Sequence, residues 1–469
     1  MMRVVFALLI LGVIACALST TAAAQSPSII AITHVTVVRV ESGVRVADQT
    51  VVVRGNRIDQ VAGSQLAGPA GAQQIDGRGA FLIPGLWDMH VHAFRTTDLT
   101  RQSNIFSLFV ANGITGIRDM GTYLDTLIAI RALLNQGAFP AVPRAVAAGP
   151  LLDGPKFQWS QPIAWNLVSV EDGRRAVDSL KRAGVDFIKV YTSLPRDAYF
   201  AIASEARKVG LSFAGHIPTS VSAAEASNAG QASFEHNGMW VFDGCVDNAT
   251  NRINAALNRW TSDGLGAWYA DRRAYHAARD STKCARLFSL FRTNSTWMTP
   301  TIVLEIKDEQ ALTRPAFAYL NAGQQKNCQA AIAAAASVPD TLRNGFFSDF
   351  LSEVGELSRA GVGILAGTDL PNPCLAAGFS LHDELKELVA AGLTPREALA
   401  SATINPARFL HLTDSLGTIA KGKLADLVLL DADPLVDIRN TTRIRAVIAN
   451  GRAFTREQLD AMLAQAKPH

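Results

Sequence analysis

Charged residues are scarce in this chain of 469 residues. Asp, Glu, Lys and Arg together make up 18% of the sequence, and the formal net charge is only +3. The sequence contains no cluster of Lys and Arg and no basic patch interleaved with aromatic residues, so nothing favours nucleic-acid binding. Apolar residues make up 48% of the sequence, which argues against a disordered chain and suffices for a large buried core.

The chain has only five cysteines, and one of them lies in an apolar N-terminal stretch. Residues 1–24 carry one Arg, then an apolar run from Val4 to about Leu18, then small residues. This order predicts a secretory signal peptide cleaved after Ala24, and therefore export to the periplasm or beyond the cell. The alternative is lipidation at Cys16, which would leave a lipid anchor.

No later stretch is long and apolar enough to predict a membrane span. The four remaining cysteines form an even set that allows two disulfides in an oxidising compartment. Three pairings are open, and the sequence does not choose among them. These cysteines are Cys245, Cys284, Cys328 and Cys374. They show no CxxC spacing, so a cysteine metal site is not indicated.

Both ends of the mature chain are rich in short β-branched runs separated by turns. Residues 29–83 and 416–456 have this character, and we expect them to form one small β-sandwich domain. Residues 84–415 instead alternate eight short apolar segments with helical ones. That alternation predicts the α/β class and a (β/α)8 TIM barrel, with a helical insertion at about 243–295 that could cover a site.

Six polar residues lie at or near the ends of the predicted barrel strands. They are His90, His92, Lys189, His216, His236 and Asp369. The first two alternate in "WDMHVH", so both imidazoles project to the same side of a strand, as two ligands of one metal would. Each residue alone has an ordinary structural explanation. Because the carboxyl ends of barrel strands meet at one mouth, their joint placement predicts a metal centre.

The same segments carry a resemblance to a known family. "GLWDMHVH", "IKVY", "GHIP", "EHNG" and "AGTD", followed by "ATINPARFL" and "GTIAKGKLADLVLLDADP", resemble the amidohydrolase superfamily. Within it the sequence looks most like the imidazolonepropionase-related branch, which includes Xaa-Pro dipeptidases with two metals. The resemblance covers nearly all of the mature chain.

The resemblance implies that the six residues hold two divalent metal ions. The more buried ion would have His90, His92 and Asp369 as ligands, and the more exposed ion His216 and His236. Carbon dioxide would convert the lysine to a carbamate that bridges both ions. Zinc is the default expectation, although manganese, cobalt and iron accept the same kinds of ligand.

The implied activity is hydrolysis of an amide or peptide-like C–N bond in a small molecule such as a dipeptide or an N-acyl amino acid. Asp369 would move the proton. Tyr191 shares a strand face with Lys189 and would donate a hydrogen bond to the developing oxyanion, with simple barrel packing as the alternative. Hydrolysis of lactones or organophosphate esters stays open. A deaminase is less favoured, because Lys189 is present and the segment that follows His216 has no Glu before Glu225. A non-catalytic binding barrel is disfavoured by the intact ligand set, and an oligomer is compatible with the sequence.

Overall fold

The computed structural model describes residues 28–155 and 163–468. The predicted signal peptide, residues 1–24, and the possible lipidation site Cys16 lie outside the described residues. Among the described residues, no helix has the length and apolar character needed to cross a membrane.

The described residues contain seventeen strands in three sheets. They are β1 (Ile29–Arg39), β2 (Val44–Arg54), β3 (Arg57–Gly63), β4 (Gln73–Asp76), β5 (Phe81–Pro84), β6 (Leu86–Val91), β7 (Ile114–Asp119), β8 (Arg144–Ala147), β9 (Leu151–Asp153), β10 (Ala164–Asn166), β11 (Phe187–Val190), β12 (Ser212–Gly215), β13 (Ser233–Glu235), β14 (Trp297–Thr299), β15 (Leu427–Leu430), β16 (Ile444–Ala449) and β17 (Arg452–Thr455).

Fourteen α-helices lie in the same part of the chain. They are α1 (Leu99–Ala111), α2 (Leu124–Asn135), α3 (Val170–Ala183), α4 (Arg196–Val209), α5 (Ala223–Asn228), α6 (Ala249–Asp263), α7 (Leu265–Ala277), α8 (Ser281–Thr293), α9 (Ala322–Ala336), α10 (Asp340–Arg359), α11 (Phe379–Ala390), α12 (Pro395–Ser401), α13 (Ile404–Phe409) and α14 (Arg456–Ala466). Short 3-10 helices cover Met239–Cys245, Ile302–Glu305, Glu309–Leu312, Pro315–Tyr319 and Ile438–Thr442.

Strands from both ends of the chain belong to one eight-stranded sheet. Its order is β17-β16-β15-β5-β1-β2-β3, and β4 pairs with β1. Strand β5 lies parallel to β1 on one side and antiparallel to β15 on the other. The β-branched residues that predicted these strands form a common apolar core, which includes Ile32, Val51, Leu82 and Leu427. The sandwich arrangement and the domain boundaries stay predictions.

The central part of the chain builds two parallel sheets in a TIM-barrel-like α/β arrangement. One has the order β6-β7-β8, and the other β10-β9-β11-β12-β13-β14. Seven of the eight segments predicted as barrel strands contain a strand. The eighth, residues 361–369, makes only isolated bridges, but its backbone contacts both sheets. Leu365 N–H donates to the carbonyl of Met298, and Met89 N–H donates to that of Ala366.

Strands β9 and β10 were not predicted from the sequence. Each has only three residues, too few for a recognisable apolar pattern, and β9 pairs with both β10 and β11. Helices α6, α7 and α8 occupy the predicted insertion, and a disulfide joins Cys245, near its start, to Cys284 in α8. A second disulfide joins Cys328 of α9 to Cys374.

Seven of the fourteen described α-helices begin with a residue whose side chain accepts a hydrogen bond from the first turn. Helix α14 begins with a capping box in which Thr455 and Gln458 satisfy each other's backbone N–H groups. The helix then packs against α1. This packing places residues 465–468 in the lining of a cavity that His92, which follows β6, also lines.

Candidate metal centre

His90 and His92 lie at the end of β6 with their rings turned towards one carboxylate. The Nδ1 atom of His90 is 2.8 Å from Oε2 of Glu235, and Nδ1 of His92 is 2.8 Å from the carbonyl oxygen of Gly121. A carboxylate and a carbonyl oxygen can only accept a hydrogen bond, so the Nδ1 atom of each histidine carries the proton. Each Nε2 therefore presents a lone pair, and each is 3.3 Å from Oδ1 of Asp369.

His236 follows β13 directly and completes a three-histidine arrangement around Asp369. Its Nε2 is 3.8 Å from Oδ2 of Asp369, and its ring centroid is 4.8 Å from that of His90. Its Nδ1 is 2.8 Å from Oγ1 of Thr301, whose hydroxyl donates to the Pro300 carbonyl. The Nδ1 of His236 must therefore be the donor, and its Nε2 also presents a lone pair.

His216 follows β12 and extends the cluster beyond His236. Its ring lies 4.8 Å from that of His236, at an angle of 90°. Its Nδ1 is 2.7 Å from Oγ1 of Thr192. The Nε2 atoms of both His216 and His90 are buried, and neither has a hydrogen-bond partner among the described residues. Buried nitrogen atoms are rarely left without a partner, and a bound cation would supply one.

Asp369 lies where the irregular segment 361–369 ends, beside β6. Its backbone N–H donates to the carbonyl of His90 over 2.7 Å, and Nδ2 of Asn372 donates to its Oδ2 over 2.7 Å. Gly367 permits this approach, because a Cβ there would lie 2.8 Å from the Cβ of His90. The backbone φ of Asp369 is +60° and that of His236 is +66°, an uncommon region that costs energy outside glycine.

One set of potential ligand atoms is compact enough for a single ion. The ligand atoms of His90, His236 and Asp369 all lie within 4.8 Å of one another. Imidazole nitrogen and carboxylate oxygen are the ligands of zinc and of related divalent ions. The residues present therefore fit the metal centre that the sequence predicts.

Lys189 and Tyr191 lie on the His216 side of the cluster. Lys189 is buried in β11, and Gly215 of the neighbouring strand makes room for it, since a Cβ there would lie 3.0 Å from Cδ of the lysine. Its Nζ is 5.9 Å from the ring centroid of Tyr191. The Tyr191 ring stacks on His216 at 4.0 Å. The structure thus brings all six predicted ligands and Tyr191 into one region, while their predicted roles stay predictions.

Burial favours the neutral imidazole at His90, His216 and His236. Burial, followed by nearby positive groups, holds the pKa of His90 and of His216 well below the usual value. Burial lowers the pKa of Lys189 to about 8, although Glu235 and Asp369 act in the opposite direction.

Glu235 and Arg118 form a buried ion pair behind the histidines that was not predicted from the sequence. The Arg118 guanidinium donates to both Glu235 oxygens, over 2.9 and 3.0 Å. It also donates to the Met89 carbonyl over 2.6 Å, to Ser233 Oγ over 2.9 Å and to Thr299 Oγ1 over 3.1 Å. Both side chains have 0% exposure. The sequence did indicate a buried arginine, because "GIRDMG" places one inside a predicted barrel strand.

Two more buried carboxylates hold the backbone on either side of the histidine pair. Asp119 accepts hydrogen bonds from the N–H groups of Ala93 and Phe94, over 2.6 and 3.0 Å. Asp88 accepts from the N–H and the hydroxyl of Thr368, over 3.0 and 2.8 Å, and burial raises its pKa to about 7. These bonds fix the positions of β6 and of the residue before Asp369.

The helical insertion contacts the loop that carries His236. Arg272 of α7 donates two hydrogen bonds of 2.9 Å to the carbonyl of Asn237, and a third of 3.2 Å to Glu353 of α10. The Trp240 ring lies nearly parallel to that of His216, with centroids 6.5 Å apart. The insertion therefore supports one wall of the site.

An open cavity of about 750 Å³ adjoins the histidine cluster. Its lining includes His92 and Leu370, residues of α1 and α9, and the segment 465–468. His92 is the one predicted ligand among these lining residues.

Comparison with known proteins identifies one family over most of the chain. A model of the amidohydrolase family matches residues 81–454. Adenine deaminase 2 of Jannaschia sp. (strain CCS1) is 41% identical over 113 residues, which are 22% of this chain and 18% of that protein. The imidazolonepropionase of Pseudomonas savastanoi pv. phaseolicola (strain 1448A / Race 6) is 36% identical over 114 residues, which are 23% of this chain and 28% of that protein. The matches thus span less than a third of each relative.

Solved structures resemble the fold over nearly its whole length. A bottromycin amidohydrolase superposes with a TM-score of 0.71 at 21% identity, covering 94% of this chain and 90% of its own. A Xaa-Pro dipeptidase with bound methionine superposes with a TM-score of 0.66 at 20% identity, covering 91% of this chain and 100% of its own. At these identities the likeness establishes the fold alone.

Proposed function

Because the chain belongs to the amidohydrolase family, we propose that it is a metal-dependent hydrolase of amide or peptide-like C–N bonds. Its substrate would be a small molecule of the dipeptide or N-acyl amino acid type. The observation that carries this proposal is that the Nε2 atoms of three histidines converge on Asp369. The Nδ1 proton of each of these rings is donated to a different partner. Such an arrangement is costly without a cation and is suited to holding one.

The chain offers ligands for two divalent ions, with zinc as the default. His90, His92 and Asp369 would hold the first ion, and His216 and His236 the second. Lys189, buried on the His216 side of the cluster, would bridge the two as the carbamate formed with carbon dioxide. Bound divalent ions would supply an acidified water and polarise the scissile carbonyl.

The protein side chains would guide the proton and the substrate. Asp369 would accept a proton from the attacking water and deliver it to the leaving nitrogen. Asn372 orients that carboxylate by donating to its Oδ2. Tyr191, fixed by stacking on His216, would donate a hydrogen bond to the developing oxyanion of the substrate.

The proposal also includes export of the protein, closure of the barrel and the small β-sandwich domain. Residues 1–24 would be the signal peptide, with a lipid anchor at Cys16 as the alternative. The two disulfides support an oxidising compartment. The parallel strands of 84–415 would close into a (β/α)8 barrel, and residues 29–83 with 416–456 would form the β-sandwich domain.

The test combines metal analysis with a substrate panel. Zinc-loaded protein, prepared in the presence of bicarbonate, would be assayed with dipeptides, N-acyl amino acids and lactones. We expect about two metal ions per chain and release of an amine product. Lys189→Ala and His236→Ala should abolish hydrolysis and reduce the metal content, because each removes a ligand.

Two exposed residues provide matched controls. Lys208→Ala, whose side chain is 74% exposed, and His34→Ala, whose side chain is 37% exposed, should retain activity and metal. Full activity of Lys189→Ala would rule out the bridging carbamate. Hydrolysis of lactones alone would establish the ester alternative, and release of ammonia from a purine would establish a deaminase. A wild-type protein that binds no metal would overturn the proposal.

A further inference from the structure

The open cavity beside His92 is larger than the cleavage of an amide bond requires. Its volume of about 750 Å³ falls among pockets that enclose a ligand of drug size. Its lining includes His92 and Leu370, the residue that follows Asp369. A molecule with its reacting group at the histidine cluster would therefore extend its remaining atoms into this cavity.

Part of the cavity lining is apolar. It includes Ile105 and Leu108 of α1, together with Leu370 and Leu375. Three of these, Leu108, Leu370 and Leu375, are at most 6% exposed. An alkyl chain lying along this wall would be removed from water, and this burial is favourable in proportion to its apolar area.

Another part of the cavity lining is positively charged. It contains Arg95, Arg101 and Lys467, and the described lining residues include no Asp or Glu. None of the three side chains forms an ion pair with any residue that the structure describes. The Nζ of Lys467 lies 5.7 Å over the ring of Tyr319, which leaves its charge available to an anion. A negatively charged group is the complement of this part.

We propose that this cavity binds an apolar substrate chain that ends in a carboxylate. The inference rests on the proposed function, because the reacting end of the substrate is assumed to lie at the histidine cluster. The apolar wall holds the chain, and the arginines and the lysine hold its terminal carboxylate. Within the proposed N-acyl amino acid class, the substrate would thus carry a long acyl chain with an anionic end.

Pairs of hydroxamates test this inference by calorimetric titration of the zinc-loaded full chain. Suberic acid monohydroxamate and octanohydroxamic acid share the metal-binding group and chain length, and differ only in the terminal carboxylate. Six- and ten-carbon pairs extend the range of length. At the best length we expect the carboxylate member to bind about tenfold more tightly, equivalent to about 1.4 kcal/mol. The difference should shrink at high salt, because the cations are exposed.

Charge-reversal variants test whether the cations of the cavity cause the preference for the carboxylate member. Arg101→Glu and Lys467→Glu should each reduce the preference for the carboxylate member and leave the affinity for octanohydroxamic acid unchanged. Arg286→Glu makes the same charge change on α8, which does not line the cavity, and should preserve the preference. Equal affinities within every pair for the wild-type protein would overturn the inference, as would a preference that survives both cavity variants. If neither member of any pair binds, the metal centre of the proposed function has failed instead.

Discussion

Replacing Arg118 by Met would remove the cation that balances Glu235 behind the metal centre. The two side chains are fully buried, so water cannot compensate the remaining carboxylate. The substitution also removes donors to the Met89 carbonyl, Ser233 and Thr299. Breaking a buried ion pair by removing one partner typically costs about 3–5 kcal/mol, and we expect Arg118→Met to fall in this range.

A double-mutant cycle separates the pair from the rest of the network. Glu235→Gln in the Arg118→Met background removes the unbalanced charge, so the double variant should be more stable than the sum of the single effects predicts. The control is Arg175→Met, which breaks the pair with Asp172 on the surface, where the Arg side chain is 70% exposed. It should cost no more than about 1 kcal/mol.

The assay is urea-induced unfolding followed by tryptophan fluorescence, with zinc content measured on the same samples. The zinc affinity of Arg118→Met should also fall, because Glu235 holds the Nδ1 proton of His90 and so orients that ligand. A cost below about 1 kcal/mol for Arg118→Met would refute the reasoning. Strict additivity of the two substitutions would do so as well, since it would mean that the two side chains do not interact.

Two further predictions concern stability away from the histidines. The double variant Cys328→Ser/Cys374→Ser should have a free energy of unfolding lower by about 4 kcal/mol, because the disulfide closes a sequence separation of 46 residues. Urea-induced unfolding without reductant measures this difference. A variant as stable as the oxidised wild type would contradict the prediction. Burial raises the pKa of Glu384 to about 8, above its unfolded value, so its contribution to stability is complete below about pH 4.5 and is lost as the pH rises through about 8. The Gln side chain of Glu384→Gln cannot ionise and still accepts a hydrogen bond from the Val303 N–H. This variant should therefore be thermally more stable than the wild type at pH 9 but not at pH 4. A stability difference that does not change with pH would count against the prediction.

The sequence is most informative where a polar residue ends an apolar strand. His90, His216 and His236 each follow this pattern, and barrel-like packing brings such ends together whatever their separation along the chain. A strand-end position can therefore be predicted from local sequence. Even so, the segment that ends at Asp369 has the apolar pattern of a strand but forms only isolated bridges.

Local sequence patterns could not predict the contacts between distant segments. The partner of Arg118 is 117 positions away, and nothing near either residue indicates the other. Cys245 and Cys328 had three equally acceptable partners each, because spacing alone does not favour one pairing. The cavity beside the cluster depends on how α14 packs on α1, which is a tertiary contact between the first and last described helices.

The pairing of β5 with both β1 and β15 has a consequence for how the chain is made. The ribosome delivers β1 to β5 at the start of synthesis, whereas β15 emerges only after residue 427. Until then one edge of β5 has no neighbour, and such an edge can pair with another nascent chain. The sheet stays incomplete until the C-terminal strands join it, so the unpaired edge of β5 can promote association between chains until late in folding.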